Sequence, residues 1–186
     1  EYARSRDEKM LKFAKERASF LSALQDSDGG IRFGPAGQWH ESGIQSFQWN
    51  LKSTEHNESV LVFFDLFRQV SGETAYQKAA DHIYTWLMSM YDRKQRVFAR
   101  GAACRNGTWV KDSIDLYATD TAGWMPLERM LLDSRFGRRP AQRVQAAADM
   151  LSAAEERAGV YQQGVLQGFS FSPETKEKGV ISIEWS

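Results

Sequence analysis

With 186 residues, 42% hydrophobic and 26% charged, the chain can build a sizeable core and has the composition of an ordinary globular domain rather than a disordered or fibrous one. Twenty-four Lys and Arg balance 24 Asp and Glu, and the one dense basic run, Arg135 to Arg139, is too short to make nucleic acid an expected partner. No apolar stretch approaches the length of a membrane span, and the single Cys104 rules out an internal disulfide.

From Asp7 to Gln25, Met10, Ala14, Ala18, Leu21 and Leu24 recur at three- and four-residue spacing, which predicts a one-faced outer helix ended by Asp28-Gly29-Gly30. A loop of nearly thirty residues follows, rich in aromatics: Phe33, Trp39, Phe47 and Trp49. Ser53 or Thr54 then caps a helix to about Val70 that has almost no polar stripe and is expected to be buried all round. After the Ser71-Gly72-Glu73-Thr74 break comes a second one-faced helix, through Tyr76, Ala79, Ala80, Ile83, Leu87 and Met90. In the next loop, Val97-Phe98-Ala99 and Thr108-Trp109-Val110 are expected to pair as a small β-hairpin around Asn106-Gly107. An inner helix from about Asp115 to Leu132 follows, kinked by Gly123 and Pro126. Pro140 opens a third outer helix whose face is read as Val144, Ala147, Ala148, Leu151 and Ala154. A long loop, Gly159 to about Val180, leads to Ile181-Ser182-Ile183-Glu184-Trp185.

The spacing is periodic. Ala14, Ala79 and Val144 lie 65 residues apart, as do Ala18, Ile83 and Ala148, and Leu21, Trp86 and Leu151. In that register Glu55 matches Asp120, with Glu184 following at 64, so a carboxylate falls near the start of each inner helix. Self-similarity of a two-helix unit marks a repeat architecture.

Read this far, the chain resembles the six-hairpin (α/α)6-toroid glycosidase-like superfamily. The residues that carry the likeness are Ser53-Thr54-Glu55-His56-Asn57 opening an apolar helix, Asp115-Leu116-Tyr117-Ala118-Thr119-Asp120, and Ser182-Ile183-Glu184-Trp185. The resemblance implies an all-α fold, an (α/α) toroid of alternating outer and inner helices. About half of the six-hairpin barrel is present, as a single domain over 1–186 incomplete at its C-terminal end. The missing part of the ring is expected from further chain or a partner subunit, because an apolar inner helix left in water would form a sticky patch. A second likeness competes: Arg17-Ala18-Ser19-Phe20-Leu21 with Gln25 and Asp28-Gly29-Gly30 is similar to the Gln/Gly-rich repeat of terpene cyclases and prenyltransferase β-subunits, also α/α toroids, although it occurs once and their aspartate-rich run is missing.

The first resemblance implies a carbohydrate-active protein of bacterial type, a glycoside hydrolase or polysaccharide lyase acting on a poly- or oligosaccharide without a cofactor. Hydrolysis of a glycosidic bond commonly uses two carboxyl groups, and Glu55, Asp120 and Glu184 are the catalytic candidates. An acidic residue at a helix start also serves the helix itself, through capping and the dipole. Candidate substrate-binding residues are Trp39, His40, Trp49, His56, Asn57, Asp115 and Tyr117; His56 is also a candidate acid/base, histidine being the residue type suited to that work near neutrality. His40, His56, His82 and Cys104 show no paired ligand spacing, so no metal site is expected. The alternatives are a non-catalytic helical-repeat module binding glycan or protein, and a terpene-cyclase-like toroid. Because the sequence starts at Glu1 rather than Met, a missing leader carries no information on export, and a periplasmic or secreted location is expected over a cytoplasmic one.

Overall fold

A computed structural model of the chain describes residues 7–38, 43–123 and 126–181. In chain order the elements are α1 (Glu8–Ala23), β1 (Leu51–Ser53), α2 (Thr54–Ser71), α3 (Ala75–Met90), β2 (Tyr91–Asp92), β3 (Val97–Phe98), β4 (Gly101–Arg105), β5 (Thr108–Lys111), α4 (Asp120–Gly123), α5 (Pro126–Leu132), α6 (Pro140–Ala158), β6 (Gly159–Gln162), β7 (Val165–Phe169) and α7 (Pro173–Glu177). Helix pairs repeat along the chain with small β-hairpins between them, the pattern of a partial all-α toroid with minor β elements. The chain folds as two compact units, residues 1–89 with 102–110, and residues 90–101 with 111–186.

In the first unit the helix ends are set by local chemistry. The Asp7 carboxylate accepts the Lys9 N–H at 2.9 Å and starts α1. Ser53, in extended conformation, caps α2, and Gly72 stops it at φ +73°, where a residue with a Cβ is disfavoured. The core comprises Ala18 and Leu24 with Val60, Leu61, Phe64 and Phe67 of α2 and Tyr76, Ala80, Ile83, Trp86 and Leu87 of α3. The Tyr76 ring lies 5.5 Å from that of Phe64 and meets Phe67 edge-on at 5.0 Å. Each such side chain taken out of water contributes roughly 1.5–3 kcal/mol. The expectation that α2 is buried all round does not hold: Leu66 is 57% exposed and Val70 also faces solvent. Its buried face is Thr54, Asn57, Glu58, Val60, Leu61, Phe64 and Phe67, so three polar residues occupy core positions while apolar ones sit outside.

The hairpin forms around Asn106-Gly107, both at positive φ as a two-residue turn demands, but its first strand is β4. A two-residue turn pairs its immediate flanks, and Val97-Phe98-Ala99 lie too far upstream. The first unit's portions of β4 and β5 join β1 in a sheet of order β1-β4-β5.

In the second unit β3 pairs instead with β2, Tyr91 opposite Phe98 and Asp92 opposite Val97. The core here packs Val97, Tyr117 and Ala122 against Ala153, Ala154 and Ala158 of α6. The buried face of α6 is thus Ala147, Met150, Ala153, Ala154 and Ala158, and Val144 and Leu151, read as inward, are 58% and 48% exposed. Small side chains bring the helix close to its neighbours, and that closeness rotates the buried stripe. The helix expected over 115–132 is interrupted before Asp120: a 3₁₀ turn at Ile114–Leu116 and non-helical residues 117–119 come first, then helix at Asp120–Gly123 (α4) and Pro126–Leu132 (α5), and the expected kink between them falls on residues 124 and 125, outside the described residues. The interruption has a cause, because the Thr119 N–H donates to the Phe171 carbonyl at 3.0 Å and its hydroxyl to the Ser170 carbonyl at 2.6 Å. The supposed loop after Gly159 is the β6–β7 hairpin, turning at Gln163-Gly164, both at positive φ, followed by α7.

Candidate functional site

The polar start of α2 is built by three consecutive residues. Glu55 is half-buried in the first turn, where the helix dipole favours a carboxylate. The His56 N–H donates to Ser53 Oγ at 3.4 Å, and its ring stacks on Phe33 at 4.3 Å between centroids. Asn57 is fully buried: Oδ1 accepts the Ile31 N–H at 2.7 Å, and Nδ2 donates to the carbonyls of Ile31 (3.1 Å) and Ser53 (2.8 Å). Its amide therefore clamps the long loop onto the helix. Glu58, also fully buried, was not singled out from sequence, although the three- and four-residue spacing from Thr54 to Leu61 would have placed it on the core face.

Beside this lies a network the sequence reading missed. Asp26 Oδ2 receives Arg32 Nη2 at 2.8 Å, the Trp109 indole N–H at 2.8 Å and Lys52 Nζ at 3.2 Å. Lys52, whose side chain is 0% exposed, also reaches Asp28 Oδ1 at 2.6 Å and lies 4.0 Å over the Trp109 ring. Arg32 sits 4.0 Å above the Trp49 ring and 5.1 Å from that of Trp109. Burial alone would raise the Asp26 pKa, but hydrogen bonds from the Ser27 N–H, Trp109 and Lys52, with the Lys52 charge, hold it below its ordinary value. A lysine held in this way is an ionic tie rather than a nucleophile. Gln25 completes the turn, donating to the carbonyls of Gly29 (2.9 Å) and Ala79 (3.0 Å), and Gly29 passes so close to α3 that a Cβ would lie 2.4 Å from the His82 carbonyl oxygen.

The remaining candidates belong to the second unit. Asp115 is exposed in the 3₁₀ turn and bonded to Ser113 Oγ at 3.0 Å. Tyr117 is fully buried in the core. Asp120 is the first residue of α4 and 5% exposed. Trp39, His40 and Glu184 lie outside the described residues. Among the described residues no group of His, Cys, Asp and Glu is arranged to hold a metal ion, and no helix is long and apolar enough to cross a membrane.

Searches of protein-family models and of curated proteins give no match. Among solved structures, the crystal structure of a family 76 glycoside hydrolase from a bovine Bacteroides thetaiotaomicron strain superposes with a TM-score of 0.60 and 18% sequence identity, over 86% of this chain. The fold is shared with that hydrolase. The chain spans 33% of the hydrolase's length.

Chemically, the start of α2 offers a half-buried carboxylate next to an imidazole resting on an aromatic face, while Trp49 commits one ring face to Arg32. The start of α4 offers a second, more enclosed carboxylate. Both carboxylates lie in the first turn of a helix.

Proposed function

We propose that the chain is a carbohydrate-active α/α protein, a glycoside hydrolase acting on a poly- or oligosaccharide through Glu55 and Asp120, with Glu184 as a third carboxylate. The observation that carries this reading is the fold shared with a family 76 glycoside hydrolase, together with a carboxylate at the start of each of two successive inner helices. In this reading each carboxyl is a candidate for the acid, base or nucleophile that glycosidic hydrolysis needs. His56, Phe33 and Trp49 offer a polar group and flat apolar faces for a sugar. Because the match covers only a third of the hydrolase, the proposal includes a ring completed by further chain or a partner subunit.

The test is release of reducing ends from a panel of neutral polysaccharides and oligosaccharides by wild type, Glu55→Gln and Asp120→Asn. Loss of general acid or base function lowers turnover by roughly a hundredfold or more. Wild-type rates in both variants would remove the proposed chemistry. A second reading, glycan binding without hydrolysis, is favoured by the enclosure of Asp120 and the full commitment of the Asn57 amide. Saturable binding of the same sugars with no product release supports it and rejects the first.

A further inference from the structure

The second unit contains a cleft of about 270 Å³ lined by Tyr91, Arg93, Arg96, Arg135, Phe136 and Asp149. Three arginines line it against one carboxylate. Neighbouring arginines are spent on the protein itself. Arg143 caps the carbonyls of Leu131, Gly137 and Arg138, and Arg157 bonds to Gln95. Arg135 pairs with Asp133, at 2.5 Å from Nη2 and 2.8 Å from Nε. Arg93 and Arg96 form no ion pair among the described residues, and both are exposed. Asp149, the lining carboxylate, accepts a hydrogen bond from Gln145 at 2.8 Å.

The backbone gives a second reason to single out Arg96. It sits at φ +60°, the left-handed region that glycine enters freely and an arginine enters at about 1 kcal/mol or more. The turn is fixed around it: the Asp92 carboxylate accepts the N–H groups of Lys94 (2.9 Å) and Gln95 (2.8 Å), and the Arg96 N–H donates to the Asp92 carbonyl at 2.7 Å. Arg96 thus holds a left-handed turn position where glycine would be easier. The wall of the cleft is aromatic, Tyr91 meeting Phe136 edge-on at 5.4 Å. Burial keeps the Tyr91 phenol above its ordinary pKa against the pull of Arg96 and Arg93, so it stays a neutral hydroxyl that can donate.

We propose that this cleft binds an oxyanion, a carboxylate or phosphate, carried on a single sugar-sized ring, with Arg93 and Arg96 pairing the anion and Tyr91 and Phe136 backing the ring. Guanidinium groups suit planar and tetrahedral oxyanions through paired N–H donors, and the volume lies just below the usual range of small-molecule sites, roughly 300–1,000 Å³. The inference does not rest on the proposed hydrolysis.

Calorimetric titration of the chain with glucose 6-phosphate, glucuronate, inorganic phosphate and glucose tests it. The first two are expected to saturate, phosphate to bind more weakly, and glucose not at all. Arg93→Gln and Arg96→Gly are each expected to weaken binding about tenfold, the loss of one charge-assisted hydrogen bond. Arg96→Gly relieves the backbone strain, so its melting temperature should equal or exceed that of wild type, separating lost binding from lost folding. Arg138→Gln, at an exposed arginine that does not line the cleft, should bind as wild type does. Failure of both charged sugars to saturate, or wild-type affinity in the two arginine variants, overturns the proposal. Equal affinity for phosphate alone overturns the part assigned to the aromatic wall.

Discussion

Replacing Asn57 by Ala tests whether the start of α2 is held by its own side chains. The change removes three hydrogen bonds, at 2.7, 3.1 and 2.8 Å, and leaves the Ile31 N–H and carbonyl without the side chain that pairs them. A buried polar group left unmade costs about 1–3 kcal/mol, so the two Ile31 groups together put the loss at about 3 kcal/mol. For a chain of this size that is a fall in melting temperature of about 6–12 °C. Asn57→Asp keeps the acceptor for the Ile31 N–H but sets a carboxylate against the carbonyls of Ile31 and Ser53. Its folded pKa is raised, so its deficit is full at neutral pH and shrinks as the pH falls toward the ordinary carboxylate value of about 3.9, where the protonated acid regains a donor. Urea unfolding followed by far-UV circular dichroism at both pH values measures both effects. Asn57→Ala within about 1 kcal/mol of wild type would refute the clamp; lost sugar binding at unchanged stability would return Asn57 to the binding residues.

The depressed pKa of Asp26 means that its contribution is present above the ordinary value of 3.8 and is lost as the pH falls through the lower folded value. Trp109→Phe removes one donor, moves the folded pKa back up, and should flatten the acid-side loss in urea midpoints measured between neutral pH and about pH 3; an unchanged slope would contradict it. Gly29→Ala combines φ +94° with a Cβ 2.4 Å from the His82 carbonyl oxygen, and a loss of about 3 kcal/mol is expected. A thermal melt within about 2 °C of wild type would show that α3 yields to it.

The long helices were legible because their signals are local. Asp7, Ser53, Gly72 and Pro140 mark ends that the chain reads within one turn, and the 65-residue period ordered the outer helices correctly. The Asn106-Gly107 turn was legible for the same reason, while its partner strand was not, because the Val97–Phe98 strand is taken by the tighter Asp92–Arg96 turn upstream. The inward face of α6 was misread because apolar periodicity weighs Val144 and Leu151 above alanine, whereas close packing selects the alanines. At the candidate site, Glu55 and His56 could be named from their place at a helix start, but the use of Asn57 depends on Ile31, 26 residues earlier. Trp109 was expected as a residue of the small hairpin, yet its indole N–H is bonded to Asp26 across 83 residues. Charge pairing at such separations leaves no periodic trace.

The meeting of Trp109, Lys52 and Arg32 on one oxygen of Asp26 bears on the order of folding. During synthesis α1, α2 and α3 emerge before the β4–β5 hairpin, so the cationic pair beside Asp26 must wait about twenty further residues for its indole cover, a delay of seconds at ribosomal rates. The first unit therefore becomes complete only after the chain has begun the second, and a break between residues 89 and 90 would leave its charges uncovered. The hairpin acts as the late-arriving latch of a segment that looks, by helix content alone, already finished.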